Sequence, residues 1–149
     1  MSRAHPLDLA ATVLGGKLTR TTTSVVGTRR GETVIFSASP WGLSAAVLVQ
    51  SSKMSFTIEP KGWLLKRGLR VEGTPTELVM RVLDGPVKDW IVALAPVEIR
   101  LTPNGIHLER SGGSLEEITA ACDLVATLAQ RVRAIESERP ISAWRLALR

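Results

Sequence analysis

Four cations gathered around one indole are the place in this chain where residue types and spacing first suggest chemistry. Between Lys61 and Arg70, the side chains of Lys61, Lys66, Arg67 and Arg70 surround Trp63 and the pair Leu64-Leu65. Basic groups can neutralise phosphates while an aromatic ring stacks on a base, and the same mixture can anchor to an anionic membrane surface. These five residues, Lys61, Trp63, Lys66, Arg67 and Arg70, are therefore the candidates for an anion-binding site. The plainer reading is a strand pair in which Trp63 and Leu65 pack inward while Lys66 and Arg67 are solvated. The absence of Tyr and the presence of only two Phe also argue against a stacking platform.

The other reactive side chains do not assemble into a site. His5 and His107 are far apart, and no Cys or His pair has ligand spacing, so neither a metal nor another cofactor is expected. The single cysteine, Cys122, falls within a helix-period apolar stripe, where a thiol behaves as a small buried hydrophobe. No His lies within helical reach to activate it. Nucleophile-elbow, protease and lactamase patterns are missing. Gly15-Gly16-Lys17 lacks the remainder of a phosphate-binding loop and the strand that should precede it. Glu116, Glu117 and Asp123 suit dipole compensation at a helix start better than paired acid and base work. No catalytic residue is assigned, and a non-enzymatic protein is expected.

What would hold such residues in place is one domain, to judge from 149 residues with 44% apolar and 22% charged side chains. The formal net charge is +5, unevenly placed: residues 1–73 carry ten Lys/Arg against four Asp/Glu, and residues 74–149 carry nine against ten. That asymmetry hints at an anionic partner for the first half, although basic residues commonly just solvate a surface. No apolar run approaches the roughly 20 residues of a transmembrane helix, and the start lacks an apolar leader core, so a soluble cytoplasmic protein is expected.

Element by element, His5 to Leu14 reads as a short helix with Pro6 in its first turn and Gly15-Gly16 as its stop. Short strands and tight turns follow from Lys17. Met54, Phe56 and Ile58 alternate with Ser55, Thr57 and Glu59, which predicts one buried and one wet face. Ala45 to Val49 is apolar at every position. That strand should be central or covered on both faces, its outer cover coming from a helix, a partner or a ligand. Thr74 can cap a helix opening at Pro75, with Leu78, Val79, Val82 and Leu83 inward. Pro86 opens a second, to Ala95, with Val87, Trp90, Ile91 and Leu94 inward. Val97 to Leu108 is a hairpin turning at Pro103-Asn104-Gly105.

Ser114 and Glu117 form a capping box for a long final helix with Leu115, Ile118, Cys122, Val125, Ala129 and Val132 on one stripe, ended by Pro140. Leu124, Leu128 and Ile135 form a second stripe, more apolar face than one sheet needs, and so a candidate interface. The tail adds Ile141, Trp144, Leu146 and Leu148 to that candidate. Trp144, Leu146 and Leu148 alternate with Ala143, Arg145, Ala147 and Arg149 as an edge strand would, though a last helical turn also fits.

This layout resembles a family of uncharacterised bacterial proteins. The likeness runs through Leu14-Gly15-Gly16, the Gly27 to Gly31 pair, Gly73-Thr74-Pro75-Thr76-Glu77, the hairpin Val97 to Leu108 and the closing helix Ser114 to Val132. It implies a shared fold and brings no activity to any residue. The expectation is a single α+β domain over 1–139, a mostly antiparallel sheet covered by a long C-terminal helix and two or three short ones. Residues 140–149 form a tail docked on the domain or on a partner. The expected function is a self-associating interaction or assembly module. The alternative is a nucleic-acid or anionic-ligand module using 61–70.

Overall fold

The computed structural model describes residues 5–40, 42–60, 69–94 and 96–138. The chain runs α1 (Pro6–Val13), β1 (Gly15–Arg20), β2 (Ser24–Arg29), β3 (Glu32–Ser39), β4 (Gly42–Leu48), β5 (Ser55–Pro60) and β6 (Leu69–Thr74). It continues through α2 (Thr76–Val82), α3 (Pro86–Leu94), β7 (Glu98–Thr102), β8 (Gly105–Arg110) and α4 (Leu115–Glu136). Among the described residues the eight strands make one antiparallel sheet in the order β1-β2-β3-β4-β8-β7-β5-β6. The α+β class with a long closing helix and three short ones is as expected.

Local chemistry accounts for the elements. Pro6 opens α1, and His5, whose role at a helix start the sequence did not suggest, accepts the Leu7 N–H on its Nδ1 at 3.1 Å. Gly15 and Gly16 already belong to β1. The β2–β3 turn holds Arg30 at φ 52° and Gly31 at φ 80°, the left-handed pair that a two-residue hairpin requires. At α4 the capping box is complete: Ser114 Oγ accepts from the Glu117 N–H at 3.2 Å, and Glu117 Oε1 accepts from the Ser114 N–H at 3.0 Å.

Three expectations need correction here. Thr74 does not cap α2, because it is the last residue of β6 and pairs with Ser55; Pro75 takes the cap position without a side-chain bond. Trp90 does not point into the core: it is 38% exposed, while Val87, Ile91 and Leu94 supply the buried face of α3. In addition, α4 ends at Glu136 with Ser137 as its cap, before Pro140 is reached.

All four helices pack on one face of the sheet, and one continuous core lies between. The inward set of β5, β7 and β8 follows the predicted alternation, with Phe56, Ile58, Ile99, Leu101, Ile106 and Leu108 buried. Helix α4 buries far more than one stripe. Ile118, Cys122, Val125, Ala129 and Val132 are fully enclosed, and so are Ala121, Leu124, Ala126 and Leu128, while Leu115 stays exposed. The reason is that α4 is sandwiched. The sheet lies under it, and α1, α2 and α3 flank it, so both apolar stripes are consumed within the chain.

Polar ties hold it at Asp123, inside the helix, and at its last residue, Glu136. At the β2–β3 turn, Asp123 accepts Arg29 Nε at 2.6 Å and Arg30 Nε at 3.0 Å. At the other end Glu136 Oε1 accepts from the N–H groups of Ser52 at 3.0 Å and Lys53 at 2.9 Å and from Ser51 Oγ at 3.1 Å.

Candidate functional site

The face of the sheet away from the helices carries no covering layer among the described residues, and its composition is uneven. Period-two geometry sends alternate residues of β2, β3 and β4 outward. The register then aligns Ser24, Ser37 and Ser44 in one row across the three strands, and Val26, Ile35 and Ala46 in the next. Thr28, Thr33 and Leu48 continue the face toward the end of the sheet where α4 stops. None of these nine residues is charged. Leu48 is 64% exposed, the most exposed large apolar side chain described. Isolated surface Leu residues are common, but this one ends a charge-free strip three strands wide.

Charge begins at β8. Glu109 stands opposite Ser44 on one side and Glu98 on the other, and His107 stands between Ala46 and Arg100. Two carboxylates directly opposite on one face repel. Glu98 is relieved by Arg100, whose Nη2 lies 2.5 Å from its Oε1. A groove of about 700 Å³ opens where the strip meets this acidic pair, lined by Ser37, Ser39, Ser44, Glu98, Glu109 and Arg110 among others. Its described lining holds hydroxyls and carboxylates and no imidazole.

Two further hollows flank the helices. One, of about 360 Å³, lies between α3 and α4 against Trp90, Ala93, Leu94 and Ala120, with the Arg30 guanidinium 5.9 Å from the Trp90 ring centre. Burial pushes the Asp123 carboxyl at its edge up, but Arg29 and Arg30 outweigh that and hold it below the usual range. The other, of about 530 Å³, runs from Arg133, Glu136 and Ser137 on the last turn of α4 to Leu48, Val49 and Gln50. It connects the helix side of the sheet to the uncovered side.

The predicted site residues fall as follows. Lys61, Trp63, Lys66 and Arg67 lie outside the described residues. Arg70 is exposed on β6 beside Glu59 and ion-paired to Glu72 at 2.7 Å. Ile141, Trp144, Leu146 and Leu148 also lie outside the described residues. Leu124 and Leu128 are fully buried and Ile135 is 6% exposed, so these three are core and not a free face. Cys122 is enclosed as expected; burial, then the neighbouring Asp123 charge, push its thiol up to about 12 against a smaller opposing effect of Arg29. No group of three or more His, Cys, Asp or Glu among the described residues could hold a metal ion.

Sequence reasoning missed the uncharged strip, although a signal was present: from Thr33 to Ser52 no residue carries a charge. Folded into a hairpin, that run must expose uncharged side chains on whichever face the core does not take.

Fold and site together define an α+β domain with helices on one sheet face and, on the other, an uncharged strip across β2, β3 and β4. No protein-family model matches the chain, and no curated protein matches it in sequence. Among solved structures it is similar to the mycobacterial trehalose monomycolate transport factor A, TtfA. The identity is 14% and the TM-score 0.53, over 91% of this chain and 86% of that one. The likeness is one of fold. Among the described residues no helix is long and apolar enough to cross a membrane.

Proposed function

We propose that this protein is a non-catalytic interaction and assembly module that works through the outer face of β2, β3 and β4. The observation that carries this reading is the charge-free strip of Val26, Ile35, Ala46 and Leu48, flanked by serine and threonine hydroxyls and without a covering layer among the described residues. Depletion of charge at the centre with polar groups at the rim is the pattern of a protein-binding surface. An uncharged antiparallel face packs well on a second such face, so another copy of the chain is its first partner. The neighbour in fold is named as a transport factor, which fits an accessory role over a catalytic one.

The test is light scattering and sedimentation of the full chain over a wide concentration range, beside Ile35→Lys. The wild-type mass should rise with concentration, and Ile35→Lys, with one desolvated charge at the centre of the strip, should remain monomeric. A monomer at every concentration, or a dimer indifferent to Ile35→Lys, would remove self-association through this face.

A further inference from the structure

We infer that the hollow between α3 and α4 is a binding site for a compact organic cation, a ligand with an apolar body and one ammonium group. The site lies on the helix side of the sheet, away from the uncharged strip, and does not depend on the reading of that strip.

The two helices leave room because both bring small side chains to the place where they meet. On α3, Trp90, Ala93 and Leu94 share one face at helical spacing, and on α4 Glu116, Ala120 and Asp123 do the same. Ala93 and Ala120 are too short to close the gap, and about 360 Å³ stays open beside Trp90. Small-molecule sites run from about 300 to 1,000 Å³, so the ligand must be compact.

The walls are held before any ligand arrives. Arg30 sits at φ 52° in the β2–β3 turn, its Nε donates to Asp123 Oδ1 at 3.0 Å, and its carbonyl accepts from the Gln130 side chain. Its guanidinium in turn lies 5.9 Å from the centre of the Trp90 ring, which is 38% exposed. The indole is thus fixed by one cation and keeps exposed area for a second contact.

Charge then selects the ligand. Three carboxylates, Glu116, Glu117 and Asp123, border the hollow against the single guanidinium of Arg30. Asp123 is used by Arg29 and Arg30, and Glu117 by the Ser114 N–H and Arg110. Glu116 is exposed and has no partner among the described residues. Dipole compensation explains acids in the first turn of α4, but not an apolar hollow with an indole beside them. In a chain of net +5 this place is locally negative. An anion would meet three acids, and a neutral apolar molecule would desolvate Glu116 without compensation. An ammonium on an apolar body satisfies both demands: its charge pairs with Glu116 while its body covers Ala93, Ala120 and the indole.

The test is an NMR titration of the isotope-labelled full chain with benzyltrimethylammonium, beside benzyl alcohol as the neutral probe and phenylacetate as the anionic one. The Trp90 indole N–H signal is identified as the one lost in Trp90→Phe. Benzyltrimethylammonium should shift that signal and the Ala93 and Ala120 amides saturably, about fivefold more tightly than benzyl alcohol, and phenylacetate should not shift them. Glu116→Gln should reduce that preference to about twofold or less, which a general loss of structure would not do selectively. Ala120→Leu, which fills the hollow, should weaken the cation about tenfold. No saturable shift of the Trp90 signal, equal affinity for cation and benzyl alcohol, or undiminished binding by Ala120→Leu would each overturn the site. Tighter binding of N-acetyl-lysinamide than of benzyltrimethylammonium would assign the hollow to a lysine side chain of a partner protein and overturn the small-molecule reading.

Discussion

At the residue scale, burial decides which apolar side chains hold the molecule together and which are free to work. Leu128 is enclosed between sheet and helices, so Leu128→Ala should cost about 2–5 kcal/mol in urea unfolding while leaving the light-scattering mass of the folded chain unchanged. Ile35→Lys should do the reverse. The same distinction applies to the acids. Burial pushes the Glu136 carboxyl up, but the Lys53 and Ser52 N–H groups and the Ser51 and Ser52 hydroxyls together hold it below its ordinary value. Glu117 is lowered chiefly by the Ser114 N–H, with Arg110 assisting. A carboxyl lowered on folding stabilises the native state above its ordinary titration range. That contribution is lost as pH falls through the folded-state value. Stability should therefore decline from neutral pH toward about pH 3, and Glu136→Gln should flatten the decline while lowering the neutral-pH midpoint. A decline identical in wild type and variant would show that Glu136 is not among the groups responsible.

At the element scale, the long helix shows how far local signals reach. Ser114 and Glu117 predicted its start because the two residues satisfy each other's orphan N–H groups without help from the rest of the fold. Ser114→Ala should accordingly cost about 1 kcal/mol, read as a shift in the urea midpoint. The same sequence could not say how many neighbours α4 has. Leu124, Leu128 and Ile135 look like surplus apolar face until α1, α2 and α3 are placed around the helix, and that placement is set by contacts remote in sequence. Trp90 was misread for a related reason. It shares helical spacing with Val87, Ile91 and Leu94, but α3 has only one flank against α4 and Trp90 lies at its edge, over Arg30. The hairpin of β7 and β8 was fully legible, since alternation and a Pro-Asn-Gly turn fix both register and facing. For β4, composition offered either a central place in the sheet or cover on both faces; the strand lies fourth in the order of eight, and among the described residues only its inner face is covered. The cationic candidates of 61–70 were legible only as composition, and Arg70 shows how a neighbour two residues along the same strand, Glu72, pairs with a charge that the sequence counts as free.

At the scale of the whole molecule, the competing modes of action differ in how salt should act. The chain carries a net +5, so two copies repel at long range, while the strip that would join them has no charge to contribute. Repulsion between exposed charges is screened over about 10 Å at about 0.1 M salt and about 3 Å at about 1 M. Burial of apolar area is untouched by that screening, and sulfate or phosphate salts strengthen it. Self-association through β2 to β4 should therefore tighten as salt rises, and tighten further in sulfate than in chloride at equal ionic strength. Binding of nucleic acid or another polyanion by Lys61, Lys66 and Arg67 would behave oppositely, because its strength comes from released counterions and falls steeply with salt. Sedimentation equilibrium across a salt series, run beside Ile35→Lys and beside Lys66→Glu with Arg67→Glu, separates the two. Association that weakens with salt and disappears in the charge-reversed variant would assign the working surface to the basic segment. Association that strengthens with salt and disappears only in Ile35→Lys would assign it to the uncharged face.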